Sequence, residues 1–415
     1  MISGQDAPIR RSAIHEIATP HRETRPESQE SAPIIQLQTM LFEDAATAGA
    51  SDVHIEPRET GTVVRYRVNG LMKETMDLPR WMHDSLIARI KILAGLDISE
   101  KRVPQDGQIA GRSAGAPDMR VSVLPSRLGE KVVLRLMQSD QSPRSLEQLE
   151  LESDVEETLR ALIHRPQGII TVVGPTGSGK TTTLYALVNE VCSGPLNIVT
   201  IEDPVEYLLE RITQVQVNNK TGLTFARALR AILRQDPDVI LVGEIRDGET
   251  ARIAYEAAMT GHLVLTTLHT TDCVSAVGRL TELGVNRELI ASGTAAVIAQ
   301  RLVRLNCPAC TEEDDGNTTF ARRLDLDAGN DMKRGAGCAC CDYTGVEGRT
   351  GLYEIMEVRS QIRKALQGGS EAELRQLLRA NGVRTLTDQA RNRVLDGSVS
   401  VGEAYRTCYF GDDNE

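Results

Sequence analysis

The chain has 415 residues, 40% apolar and 25% charged, with aromatics at only 3% and a formal charge of −11 from 47 basic and 58 acidic side chains. That length predicts two to four domains, and the acidic balance argues against a non-specific nucleic-acid binder, which needs a dominant basic field. No apolar run approaches the roughly 18–20 residues of a membrane span, and the opening "MISGQDAPIRRSAIHE" has no apolar secretory core, so a cytoplasmic protein that meets a membrane only through partners is expected.

Residues 1–33 are rich in Ser, Pro, Gln and charge and predict a disordered segment. Residues 34–50 place apolar side chains at helical spacing. From Ser51 the period changes to two: "SDVHIEP", "TVVRYRVNG", "LMKETMDLP", "DMRVSVLPS" and "GEKVVLRLM" alternate as strands, around a helical stretch with Met82, Leu86, Ile90 and Leu93 on one face. Residues 34–137 therefore predict a small α+β domain, and the polar 138–150 a linker. Residues 151–306 alternate apolar strands ("GIITVV", "NIVTIE", "DVILVG", "HLVLTTL") with helical patterns. That predicts βαβ units and a parallel sheet covered on both faces. A cysteine-bearing insert (307–345) and a helical C-terminal region (346–415) follow.

Gly174-Pro175-Thr176-Gly177-Ser178-Gly179-Lys180-Thr181 fits G-x-x-x-x-G-K-[ST], with Thr182 beside it. Glycines let the loop's N–H groups point at phosphate oxygens, lysine adds charge at the β/γ-phosphates, and the threonine hydroxyl meets Mg²⁺. The loop stands between a strand and a helix, so phosphate lies at a helix N-terminus. Hydrolysis also needs carboxylates. Two strands end in acids: "NIVTIED" delivers Glu202 and Asp203, and "DVILVGE" delivers Glu244. His262 and His269 bracket the next strand. Arginines that neutralise transition-state charge complete such sites; alternation leaves Arg65, Arg67, Arg120 and Arg135 open.

Eight cysteines include Cys307-x₂-Cys310 and, after a 27-residue gap, Cys338-x₂-Cys341. Two such pairs make a closed tetrahedral thiolate site for zinc, and only Cys338 and Cys341 keep the x₂ register, so Cys340 is left out. The gap segment is polar and predicted to project from the core. Cys192, Cys273 and Cys408 read as packing residues.

"GPTGSGKTTTLY", "TIEDPVE" (200–206), "LRQDPDVILVGEIRD" (233–247) and "TGHLVLTTLHT" (260–270) stand in order. They resemble the Walker A, Asp box, Walker B and His box of the secretion-ATPase superfamily. "SDVHIEP", "RVNG", "KRVPQDGQI" and "GRTGLYEIMEV" (348–358) are similar to its flanking segments. The chain is thus identified as a member of the type II secretion and type IV pilus assembly ATPases. The resemblance implies a RecA-like P-loop core after a PAS-like α+β domain. It implies ATP and Mg²⁺ at Lys180 and Thr181, with Glu244 at the Mg²⁺ or its water, and Glu202 as general base or water-orienting group. It further implies His262 and His269 as γ-phosphate sensors or couplers to the next subunit. Among the arginines it favours Arg120 and Arg135, with Arg230 and Arg234 in support. It implies a homo-hexamer driving pseudopilus assembly and protein export with an inner-membrane platform protein, and an inner-membrane docking protein as a further partner. Larger members carry an additional N-terminal docking domain; only about 33 residues and one helix precede "SDVHIEP" here. Alternatives are a pilus assembly or retraction motor, and a DNA-translocating RecA-like ring. The tetracysteine insert argues against retraction and the acidic balance against DNA.

Overall fold

The computed structural model describes residues 31–111, 117–137, 144–314, 318–327 and 331–408. The expected disordered segment up to residue 30, and 138–143 of the expected linker, lie outside the described residues. The chain divides into two compact units, Met1–Gln141 and Ser142–Glu415.

In the first unit the five period-two stretches form β1 (Asp52–Pro57), β2 (Gly61–Val68), β3 (Leu71–Pro79), β5 (Asp118–Ser126) and β6 (Gly129–Met137), and a further strand not expected from the sequence, β4 (Gln105–Ile109), joins them. They pair antiparallel in the order β3-β2-β1-β6-β5-β4. Alternation decides which face is covered. Met119, Val121 and Val123 of β5 and Val132, Leu134 and Leu136 of β6 point into the core, where helices Ser31–Thr47 and Arg80–Leu93 contribute Leu37, Leu41, Met82, Leu86 and Ile90. Each such side chain fully removed from water contributes about 1.5–3 kcal/mol. Among the described residues the first helix opens at Ser31, three residues before its expected start. The other face of the sheet is polar. Across it the register sets Arg67, Asp52, Arg135 and Arg120 side by side on β2, β1, β6 and β5.

The second unit holds β7 (Gly168–Val173), β8 (Ile198–Glu202), β9 (Thr213–Gln216), β10 (Val239–Val242), β11 (Leu263–Leu268), β12 (Thr294–Asn306), β13 (Thr311–Glu313), β14 (Lys333–Gly335) and β15 (Val346–Glu357). Seven of these form one sheet in the order β15-β12-β7-β11-β10-β8-β9. The strands from β12 to β9 run parallel, and every residue of β7, β10 and β11 is buried, as a sheet with helices on both faces requires. Helices Ser153–Ile163 and Lys180–Val191 pack on one face. Helices Phe225–Ile232, Gly248–Met259 and Cys273–Glu282 pack on the other, joined there by four C-terminal helices between Ser360 and Cys408. Within the expected linker, Leu146 is fully buried in this unit's core.

Two expectations change. The C-terminal region opens with a strand, because Val346–Glu357 pairs antiparallel with β12 along nearly its whole length. The insert therefore interrupts a hairpin. Nor does its gap segment project: Ala321, Leu324 and Leu326 are buried in the main core, and Phe320 stacks on Tyr405 with ring centroids 4.2 Å apart.

Candidate active site and metal centre

Parallel pairing lines up the carboxyl ends of four neighbouring strands. Val173 is paired with Leu268, Thr266 with Val242, and Val242 with Ile201. One residue or two further on stand Gly174, His269, Glu244 and the Glu202–Asp203 pair. Ligands of open α/β sheets bind at this edge.

The phosphate loop leaves β7 at Gly174 and turns into the helix Lys180–Val191 through Gly177 and Gly179, at φ +80° and +86°. Such left-handed backbone suits glycine. Space demands it as well: a Cβ on Gly174 would lie 2.5 Å from the Gln300 carbonyl oxygen, and one on Gly179 2.8 Å from Gln300 Nε2. Lys180 Nζ folds over the loop and donates to the carbonyls of Gly174 (2.8 Å) and Pro175 (2.9 Å). Burial, with the nearby Arg301 guanidinium, pushes its ammonium down to about 8, against the opposing pull of Glu244. Ser178 Oγ is buried with no hydrogen-bond partner. A glycine cradle and an orphaned hydroxyl at a helix N-terminus fit a phosphate group. Gln300 and Arg301, both buried, form the wall of this loop from β12, and Arg301 also donates to the Thr271 carbonyl (2.6 Å). Sequence reasoning missed both, because on a buried strand they look like core positions.

Glu244 sits at the centre of the charged groups. One oxygen pairs with Arg246; the other lies 3.5 Å from His269 Nε2. Arg246 also reaches Asp203 Oδ2 at 3.5 Å, and its two carboxylate neighbours raise its pKa further. Glu202, by contrast, is only 3% exposed and points into the core, accepting from Tyr185, Thr200 and Gln214.

The structure separates the two histidines. His269 follows the end of β11, beside the phosphate loop. His262 precedes its start, where its Nδ1 lies 2.9 Å from the Ala257 carbonyl oxygen at a helix C-terminus. Seven residues of extended chain span about 23 Å, so His262 closes a helix at the end of β11 away from the phosphate loop, which leaves the coupling role as the alternative implied for it. Arg230 and Arg234, expected to support the phosphates, belong to the opposite face of the sheet. There Arg230 pairs with Glu249 (2.5 Å) and Arg234 donates to the Arg230 carbonyl. In the first unit, Arg135 pairs with Asp52 (3.0 Å) and is 61% exposed, Arg65 pairs with Glu56 (2.6 Å), and Arg120 is half-buried on the same polar face.

The four sulfurs of Cys307, Cys310, Cys338 and Cys341 lie within 4.8 Å of one another, while Cys340 is exposed. Cys310–Cys341 and Cys338–Cys341 are each 3.8 Å apart. Four sulfurs around zinc at about 2.3 Å stand about 3.8 Å apart, so the set fits a tetrahedral zinc ion. Backbone N–H groups point at the sulfurs, from Gly337 to Cys310 (3.3 Å) and from Cys338 and Gly345 to Cys341 (3.2 Å each). Those two amides hold the Cys341 thiol down at about 6, towards the thiolate a metal requires. Of the single cysteines, Cys273 is buried and Cys192 and Cys408 are half-buried.

The family described as type II/IV secretion system protein matches residues 27–406. The type II secretion system protein HxcR of Pseudomonas aeruginosa is 48% identical over 382 residues, 92% of this chain and 78% of that one. The type IV pilus assembly ATPase PilB of Thermus thermophilus is 42% identical over 369 residues, 88% of this chain and 42% of that one. Among solved structures, the pilus retraction motor PilT with bound ADP superposes with a TM-score of 0.63 at 27% identity, over 88% of this chain and 94% of that one. With a phosphate loop, an acid and a histidine brought to one edge of a parallel sheet, and with relatives this similar over most of its length, the chain belongs to the type II/IV secretion system protein family.

Proposed function

We propose that this chain is the ATP-hydrolysing motor of a type II secretion system, powering pseudopilus assembly and protein export. The observation that carries this is the alignment of the Lys180 loop with Glu244 and His269 at one sheet edge. The 48% identity to a type II secretion protein over 92% of the chain supports the choice of system. Lys180 and the N–H groups of 176–181 bind the β- and γ-phosphates. Thr181 and Glu244 hold Mg²⁺, which when bound draws charge from the phosphate oxygens. His269 keeps one Glu244 oxygen oriented. Arg120 and Arg135 supply positive charge from the first unit. The four cysteines hold a structural zinc. The protein works as a homo-hexamer on the cytoplasmic side of the inner membrane, through a platform protein and a docking protein. A pilus assembly motor is the second reading, favoured by the PilB relative.

Steady-state turnover of the purified protein is the test. Mg²⁺-dependent ATP hydrolysis should appear, should be indifferent to single-stranded DNA, and should vanish in Lys180→Ala. Glu244→Gln should keep nucleotide affinity and lose at least about tenfold in kcat, about 1.4 kcal/mol of transition-state stabilisation. Stimulation by DNA, or near-normal turnover in Lys180→Ala, overturns the assignment. Complementation of a secretion-deficient or a pilus-deficient strain separates the two systems.

A further inference from the structure

Strand β12 runs on past its neighbour. Its Ala299 is paired with Val173, the last residue of β7, and Val173 is paired on its other side with Leu268, the last residue of β11. There β7 ends and turns away as the phosphate loop, while β12 continues to Asn306. A gap the width of one strand is thus left between β12 and the chain leaving β11. Neighbouring strands stand about 4.8 Å apart, so this gap is about 10 Å from backbone to backbone. Arg301, just beyond Ala299, crosses it to Thr271.

Arg301 is 3% exposed, and a guanidinium is costly to bury without hydrogen bonds. Its Nη2 donates to the Thr271 carbonyl (2.6 Å) and its Nη1 to the Gln300 carbonyl (2.9 Å). Nη1 also lies 3.0 Å from the point a Cβ on Gly174 would occupy, so the guanidinium stands directly behind the first glycine of the phosphate loop. The segment at its far end carries His269, and both flanks of that segment are fixed. On one side Thr267 Oγ1 donates to the Gly243 carbonyl (2.7 Å) and the Ile245 N–H to the Thr267 carbonyl (3.1 Å), which joins the end of β11 to the turn that bears Glu244. On the other, Asp272 caps helix Cys273–Glu282 through the Ser275 N–H (2.8 Å) and pairs with Arg375 (3.0 Å). Between these flanks the His269 imidazole is 54% exposed and lies 3.5 Å from Glu244 Oε2. A ring so exposed takes its place from its backbone, and Arg301 ties that stretch of backbone to the phosphate loop.

We propose that Arg301 is a positioning residue for hydrolysis: reaching across the gap beyond β7, it straps the segment 269–271 to the back of the phosphate loop and so fixes His269 against Glu244. This rests on the nucleotide-hydrolysing reading above. Gln300 beside it faces the other way, with its Nε2 3.4 Å from the Tyr353 hydroxyl on the side of the phosphate-loop helix, and does not share the task. Lysine has the length and charge to make the same crossing, with a point donor in place of a fork. Methionine has neither charge nor donor, and glutamine is too short.

The test compares Arg301→Met, Arg301→Lys, His269→Ala and the Arg301→Met/His269→Ala double variant, reading kcat, KM and hydrogen exchange of the 268–273 amides. Arg301→Met should lose about fivefold in kcat with KM within about twofold, because the strap orients a neighbour of Glu244 and not the bound nucleotide. Its 268–273 amides should exchange faster than those of the wild type. Arg301→Lys should recover kcat to within about twofold of the wild type. The double variant should be no more than about twofold slower than His269→Ala, since both changes act through one imidazole. Full multiplication of the two losses, or a raised KM at unchanged kcat, overturns the proposal, because Arg301 then serves the nucleotide directly. Unchanged exchange in Arg301→Met overturns it as well. Should Arg301→Met fail to fold, Arg301→Gln takes its place in the same comparison. A wild type that neither binds nor hydrolyses ATP sinks the functional reading, while exchange in Arg301→Met still decides whether the strap holds the segment.

Discussion

At the scale of single residues, Lys180 makes a testable link between structure and pH. Its ammonium is held at about 8 in the nucleotide-free protein by burial and Arg301. Phosphate favours the charged form, so the pKa in the complex is higher. Affinity is therefore complete below pH about 8 and falls as pH rises through that value, by up to about tenfold per pH unit. Calorimetry of ADP binding at pH 8.5, in buffers of different ionisation enthalpy, should show proton uptake. Its absence means that Lys180 is already fully charged before the ligand arrives. The histidines give a second test. His269→Ala removes a neighbour of Glu244 and should slow hydrolysis at least about fivefold, whereas His262→Ala should leave kcat within about twofold and only lower the melting temperature. Equal kinetic losses would contradict their placement at opposite ends of β11. These residues also mark the limit of what the sequence made legible. The phosphate loop, Glu244 and His269 were readable because each follows a strand of one parallel sheet. His262 stands apart from His269 because a motif counts residues, and seven residues along one strand separate its two ends by about 23 Å. Tyr185, Gln300 and Arg301 escaped because a polar side chain within an apolar run carries no sign of what it faces.

At the scale of elements, alternation made five strands of the first unit and the buried strands of the second visible. It could not show β15. "VEGRTGLYEIME" is broken by glycines and pairs with a strand on the far side of an insert, so only tertiary contact declares it. The insert itself invites a metal test. One zinc per chain is expected by elemental analysis. Cys310→Ser and Cys341→Ser should lose it, and Cys340→Ser should keep it, since its side chain is outside the cluster. Chelation should lower the melting temperature, because four buried or half-buried thiols lose the ion that organises them. Full metal content in both Cys310→Ser and Cys341→Ser would contradict the four-ligand site.

At the scale of the whole molecule, the polar face of the first unit matters most. In one cross-strand row stand Arg67, Asp52, Arg135 and Arg120, with Asp52 paired to Arg135 at 3.0 Å and to Arg67 at 3.8 Å. Asp52 is buried while the Arg135 side chain is 61% exposed, so the pair leaves much of the Arg135 guanidinium open to a further anion. If that anion is the nucleotide of a ring, Arg120→Ala and Arg135→Ala should bind nucleotide normally and hydrolyse it at least about tenfold more slowly. Specific activity of the wild type should also rise with protein concentration. Flat specific activity across a range in which light scattering records assembly would reject the dependence on a ring.

The interrupted hairpin carries a separate consequence. Asn306 and Val346 are register partners in β12 and β15, so the chain leaves the sheet and returns to it at adjacent points. Whatever the insert does, its ends stay closed by the sheet itself. Melting the insert therefore opens no loop that the sheet had to close, and the entropy of that closure does not change. Loss of the ion should then register as a separate low-temperature transition or as faster local amide exchange in 307–345, with the Gln300–Arg301 wall of the phosphate loop left standing.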